Sequence, residues 1–160
     1  MDYKPGNADE LKTKFWKALN HSPFVMLALD ADADSTAPMT AQLDKDANSA
    51  IWFFTARNGK YARLGAATAV FSAKDHQLFA RFSGTLVEEP SRERVEQFWS
   101  NIIAAWFPGG KYDPNLLLMR MDLGAAKIWD SELGLIGTAK MLLGMDARKD
   151  AHDNVTETTL

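Results

Sequence analysis

The stretch Ile51-Trp52-Phe53-Phe54-Thr55-Ala56-Arg57-Asn58-Gly59-Lys60 decides how the rest of the chain is read. Its first five residues are aromatic or β-branched, the types that pack best on a pleated, half-buried surface, and they predict a strand. Side chains alternate across a strand, so one of Trp52 and Phe53 points into a core and the other outward, where a dimer would use it at the subunit interface. Asn58-Gly59 predicts a turn, because both residues tolerate backbone angles that others avoid. Arg57 and Lys60 flank that turn. Two such cations can hold a phosphate, with the Thr55 hydroxyl donating a hydrogen bond, although solvated cations beside a turn are the commoner meaning of this spacing.

Working outward, the chain punctuates itself into short elements. Upstream, Ala8 to Leu19 reads as a helix, with Leu11, Phe15, Trp16 and Leu19 on one face, Asn7 as its cap and Glu10 completing a capping box. Ser22-Pro23 ends it. Phe24 to Leu29 reads as a buried strand, Asp30 to Ser35 as an acidic turn, and Pro38 to Leu43 as a second extended run. Downstream, Lys60 to Ala67 reads as a short helix. Ala69 to Ser72 and Gln77 to Glu88 read as strands joined through Asp75-His76, and Arg92 to Ala105 as a helix bearing Val95, Phe98, Trp99, Ile102 and Ile103. Leu116 to Met121 and Ala125 to Trp129 read as two last strands, Ile136 to Leu143 as an apolar helix, and the residues after Asp146 as a loosely held polar tail. Strands joined by short turns favour an antiparallel sheet or barrel, so the class is α+β.

Composition bounds the chemistry. The chain has 160 residues, 18 Lys+Arg against 21 Asp+Glu, and no cysteine. One domain spanning 1–160 is the expected size. The slightly acidic balance disfavours nucleic acid as a partner, where a basic face dominates affinity. Missing cysteine removes disulfides, zinc–thiolate sites and thiol nucleophiles together. No apolar run is long enough for a bilayer and no secretory h-region opens the chain, so a soluble, cytoplasmic protein without a membrane partner is expected. His21, His76 and His152 are scattered without ligand spacing, so no metal is expected. The sequence contains neither a Gly-x-Ser-x-Gly elbow nor a phosphate loop. Five Trp and nine Phe form a large aromatic allotment. Trp16 and Trp99 fall on helix faces and are expected in the core.

Five phrases occur in order: Ala37-Pro38-Met39-Thr40-Ala41-Gln42, Ile51 to Thr55, Phe82-Ser83-Gly84-Thr85, Ala105-Trp106-Phe107-Pro108-Gly109-Gly110 with Asp113-Pro114, and Ile128-Trp129-Asp130. Together the chain resembles, from about Leu11 to Leu143, the general stress protein branch of the pyridoxamine 5′-phosphate oxidase-like, FMN-binding split-barrel family. The resemblance implies a six-stranded antiparallel split β-barrel with flanking helices, paired as a homodimer with FMN, or FAD, at the subunit interface. Pro38, Met39, Thr40, Ala41 and Gln42 would run along the isoalloxazine edge. Phe54 and Thr55 would face the ribityl-phosphate side, Arg57 and Lys60 would bind the phosphate, and Trp129, with Trp106 as companion, would reach the flavin of the partner subunit. Family members commonly place Arg where this chain has Ala37, which leaves the phosphate to Arg57 and Lys60. The late Arg-x-His signature of the true oxidases is also missing, so pyridoxamine oxidation is not expected. A flavin-dependent oxidoreductase and a flavin-binding or cofactor-free stress protein without turnover are the two readings carried forward, and no catalytic acid or base is named.

Overall fold

Among the described residues eight strands form a single sheet, with one core inside its barrel and a second on its outer face. The computed structural model describes residues 4–46, 49–131, 142–144 and 154–160. In chain order these give β1 (Lys4–Pro5), α1 (Ala8–His21), β2 (Phe24–Leu29), β3 (Asp32–Thr40), β4 (Ala50–Ala56), a 3-10 turn (Lys60–Arg63), β5 (Gly65–Ser72), β6 (Leu78–Glu88), α2 (Arg92–Phe98), α3 (Asn101–Ala104), a second 3-10 turn (Gly110–Tyr112), β7 (Leu116–Asp130) and β8 (Asn154–Thr159). Asn7 caps α1 as the sequence requires, its Oδ1 accepting the Glu10 N–H at 3.1 Å.

The strands run in the order β1-β8-β7-β6-β5-β2-β3, and β4 pairs with β7 off that path. All pairings are antiparallel except the short β1–β8 contact. Six strands, β2 to β7, curl into a barrel that is closed by one isolated bridge, Gln42 to Trp52. Among the described residues the whole sheet has eight strands, with β8 and β1 extending one rim beyond those six. β7 makes this possible. Its first half carries β4 (Leu116 to Asp122) and its second half carries β8 (Ala125 to Asp130), while β6 runs along its other edge. Where the two halves meet, the β6–β7 register shifts at Gly84, and a Cβ there would lie 2.3 Å from the Asp122 carbonyl oxygen. Only glycine allows that approach.

Alternation along β4 splits the apolar side chains between two cores. Ile51 and Phe53 point into the barrel, where α1 plugs one opening with Leu11, Phe15 and Leu19. The Phe15 ring stands edge-on to Phe71 and Phe82, an orientation that aromatic pairs favour. Trp52 points outward, yet α2 covers it: it is 2% exposed and packs with Val95, Phe98, Ile103 and Leu118. The outward tryptophan is thus consumed by its own chain and is not available to a subunit interface. Glu89 accepts a hydrogen bond from Trp52 Nε1 at 3.0 Å and another from Arg120 at 3.3 Å, and the Arg94 guanidinium lies 4.7 Å from the Trp52 ring centroid. Trp16 and Trp99 are half-buried, each packed against one of the two cores.

Several boundaries move from their sequence-based positions. Most of the acidic turn expected over Asp30 to Ser35 belongs to β3, which begins at Asp32. The helix expected over Lys60 to Ala67 stops at Arg63, because Leu64 and Gly65 take positive φ (56° and 93°) and turn the chain into β5. Arg92 to Ala105 breaks at Trp99-Ser100, where Ser100 Oγ caps α3 by accepting the Ile103 N–H at 3.3 Å. That break leaves Ile102 exposed, not on a buried face. The two last strands are one, because the bulge opposite Gly84 carries β7 through Leu123-Gly124. Part of the polar tail is not loose: Asn154 to Thr159 forms β8, paired to β7. The helix expected over Ile136 to Leu143 lies, except at its last two positions, outside the described residues.

Candidate functional site

The barrel wall is open between β3 and β4. At Gln42 and Trp52 the two backbones exchange hydrogen bonds of 2.8 and 3.0 Å, and no further ladder joins the strands. Antiparallel alternation fixes which backbone groups face that gap. The Ala41 N–H turns to Pro23 at 2.7 Å and Gln42 turns to Trp52, so Thr40 and Pro38 present their backbone to the gap, and Phe54 does so from β4. Pro38 has no N–H to offer a ladder, which a strand tolerates at an edge. A free N–H and free carbonyls therefore line one side of the split.

Side chains around these edges have separate commitments. Pro38 and Thr40 are exposed, Ala41 is buried, Gln42 is half-buried, and Met39 packs inward against the barrel core. Phe54 stands edge-on to Trp99, with ring centroids 6.1 Å apart, in the outer cluster. Thr55 takes the opposite face by alternation, so Phe54 and Thr55 do not share one.

The turn that follows is built firmly. Arg57 N–H donates to the Asn115 carbonyl at 2.8 Å, Asn58 N–H to Asn115 Oδ1 at 3.1 Å, and Gly59 N–H to the Ala56 carbonyl at 3.0 Å. Tyr61 then pins the 3-10 turn to the sheet. Its buried hydroxyl reaches the carbonyls of Leu27 at 2.8 Å and Ser35 at 2.6 Å, and burial raises the phenol above its ordinary pKa. This anchor holds Lys60 at the mouth of the split beside β3. The Lys60 ammonium lies 5.7 Å from the Tyr61 ring centroid, while neighbouring Arg63 is paired with Asp32 at 2.5 Å and holds that carboxyl below its usual range. Arg57 is committed elsewhere: its Nη2 lies 2.5 Å from Glu88 Oε1, which raises the guanidinium pKa and lowers that of the carboxyl. Sequence reasoning missed Tyr61, whose one signal is that it adjoins Lys60, and the adjacent carboxylates Glu88 and Glu89 read in the sequence as solvated surface, whereas both are held by arginines.

The two tryptophans stand apart from this group. Trp106 is 77% exposed in the loop after α3. Trp129 is half-buried near the far end of β7, between Phe79 and Val155 on the neighbouring strands, with the Lys127 ammonium 5.4 Å from its ring centroid. Arg57 is tied to Asn115, just before β7 begins. At about 3.3 Å per residue, roughly 45 Å of strand path separates the two ends. The structure thus lines one gap with the backbone edges of Pro38, Thr40 and Phe54 and sets Lys60 near it, while the Phe54 ring and the Arg57 guanidinium turn to the outer face and Trp129 lies away from it.

A family profile described as "Pyridoxamine 5'-phosphate oxidase like" matches residues 10–153. The chain belongs to that family. Within it the likeness is to general stress proteins. The general stress FMN/FAD binding protein of Xanthomonas citri is 42% identical, with 80% of this chain and 94% of that chain covered and a TM-score of 0.71. A protein of Jannaschia sp. CCS1 assigned as a general stress protein 26 is 30% identical over 96% of this chain and all of its own, with a TM-score of 0.80. The general stress protein 26 of Bacillus anthracis str. Sterne, 17% identical with a TM-score of 0.62 over 74% of this chain and 93% of that chain, shares the fold. No curated protein sequence matches the chain. Among the described residues no three His, Asp or Glu side chains group as a metal site, and no helix is long and apolar enough to cross a membrane.

Proposed function

We propose that the protein binds a flavin, FMN or FAD, in the split between β3 and β4 and works as a homodimer with the cofactor at the subunit seam. The observation that carries this is the pair of open backbone edges, Pro38–Thr40 and Phe54, with Lys60 at their mouth and Arg57 across the Asn58-Gly59 turn. Free N–H and carbonyl groups suit the donor and acceptor edge of a flat heterocycle, and the cations suit its phosphate. When bound, the flavin supplies the hydride chemistry, and the chain's residues bind and orient it.

The dimer finds support in the outer sheet face. Phe24, Met26, Val70 and Phe79 are 61, 44, 51 and 39% exposed, on the outward face of the neighbouring strands β2, β5 and β6. It is continuous with the split, because Met26 pairs with Pro38 on one side and Val70 on the other, and with Trp129, which pairs with Phe79. A second copy seated there would bring a tryptophan to a split that its own Trp129 does not serve.

Titrating FMN fluorescence against the purified protein tests the reading. Wild type quenches FMN, and the Arg57→Ala, Lys60→Ala pair weakens binding on the order of 10- to 100-fold, the loss expected for charge-assisted bonds to an anion. Unchanged affinity in the pair overturns the phosphate assignment. A second reading, flavin binding without turnover, is favoured by the carboxylate at the start of β3, Asp32, which is held in an ion pair with Arg63. Anaerobic addition of NADH and NADPH separates the two: bleaching of bound flavin supports an oxidoreductase, and failure with both donors supports storage or sensing.

A further inference from the structure

Arg57 also borders a second space. On the outer face a cleft of about 420 Å3 runs from Arg57 and Glu88 to the loop carrying Lys111, Tyr112 and Asp113, with Arg92 of α2 on its rim. We propose that this cleft takes the adenylate half of FAD, so that the chain prefers the dinucleotide to FMN. The proposal rests on the flavin reading above and adds the second subsite.

The cleft has the parts a nucleotide needs, in the order it needs them. Its volume falls within the range of small-molecule sites. Arg57 links the two spaces: its backbone lies in the turn beside the split and its guanidinium, paired with Glu88, on the cleft wall, so a diphosphate reaching from one to the other would meet that guanidinium and share it with Glu88. Arg92 donates to the Lys111 carbonyl at 3.0 Å and lies 4.6 Å from the Tyr112 ring centroid. That contact fixes a flat cation on an aromatic ring that is otherwise 79% exposed, and such a platform stacks a purine. Asp113 supplies acceptors for ribose hydroxyls. Its two oxygens already take the Asn115 N–H at 2.9 Å and the Gly109 N–H at 3.0 Å, which orient the carboxylate and leave lone pairs open. Gly110, at φ 70°, makes the turn that sets Tyr112 outward.

Calorimetric titration of the full chain with FMN and with FAD decides the matter. Wild type is expected to bind FAD about 10-fold more tightly than FMN, and Tyr112→Ala or Arg92→Ala to erase that preference while FMN affinity stays within about 2-fold. Arg92→Lys, which keeps the charge and loses the planar stack, is expected to lose most of the preference as well. Circular dichroism melts confirm that the variants fold. Equal wild-type affinities for FMN and FAD overturn the proposal and leave the flavin reading intact, as do variants that weaken both flavins alike or neither. Failure of wild type to bind either flavin overturns both together.

Discussion

Arg57 Nη2 sits 2.5 Å from Glu88 Oε1, so the arginine best placed for a phosphate already has an anion as its partner. Both side chains are close to half exposed, and a pair in that setting contributes less than about 1 kcal/mol to folding. A phosphate arriving at Arg57 has to displace or share with the carboxylate. Glu88→Gln keeps the shape and removes the competing charge. Its expected effect is several-fold tighter FMN binding by fluorescence titration, with only a small fall in the neutral-pH melting temperature, as a weak exposed pair allows; weaker binding would show that Glu88 orients Arg57 and does not compete for it.

Tyr61 is the strut under Lys60. One hydroxyl serves the Leu27 and Ser35 carbonyls from a buried ring, and Tyr61→Phe would leave both acceptors in the sheet without it. Unsatisfied buried acceptors cost about 1–3 kcal/mol, so urea denaturation is expected to show a loss of that size. The raised phenol pKa sets a second expectation. The folded chain keeps the proton that the unfolded chain gives up near pH 10, so stability is complete below that pH and falls as pH rises through it. Tyr61→Phe removes that alkaline slope. An identical slope in wild type and variant would assign it to another group.

The sequence was legible where the physics is local. Helix α1 follows from its periodicity and its Asn7 cap, and β2 and β4 follow from dense apolar runs bounded by Pro, Asn and Gly. The turn at Asn58-Gly59 announced itself with the cations on either side of it. Features that depend on distant partners were not legible. Leu123-Gly124 reads as a break until Gly84 stands opposite, and Asn154 to Thr159 reads as a polar tail until β7 offers an edge. Trp52 reads as a candidate interface residue until α2, some forty residues on, is folded over it. The split itself is invisible locally, because it consists of a ladder that stops after one bridge. Ordered phrases scattered along the chain made the family recognisable although no single one of them specifies a site.

Acid stability is expected to turn on three carboxylates. Glu88, Asp32 and Asp44 are each held below the usual range, first of all by a hydrogen bond from Arg57, Arg63 and Arg94 respectively. A lowered folded pKa means that the unfolded chain takes up protons first. The stabilisation is therefore present above about pH 4 and lost as pH falls through the folded values below it. Asp44 ties the β3–β4 loop to α2 through Arg94, so Asp44→Asn is expected to lower the neutral-pH melting temperature and to flatten its fall between about pH 5 and pH 3. Parallel melting curves for wild type and variant over that window would exclude Asp44 as a contributor.

The placement of Trp129 gives the sharpest test of assembly. If one site takes its cations from one chain and its tryptophan from the other, two differently damaged chains can rescue each other. Homodimers of Arg57→Ala, Lys60→Ala carry no intact site, and neither do homodimers of Trp129→Ala. In a heterodimer of the two, one site inherits both defects and the other inherits neither. An isologous pair has two equivalent sites, so after statistical exchange about a quarter of all sites are intact. Equimolar mixing under exchanging conditions is therefore expected to restore tight FMN binding to about one quarter of the wild-type stoichiometry. Simple averaging of the two weak affinities, with no tight fraction, would mean that each chain builds its site alone. A sedimentation mass equal to one chain at the binding concentration would remove the dimer altogether. The outer face supplies the control: Val70→Asp, away from both the cations and the tryptophan, is expected to abolish the dimer and tight flavin binding together.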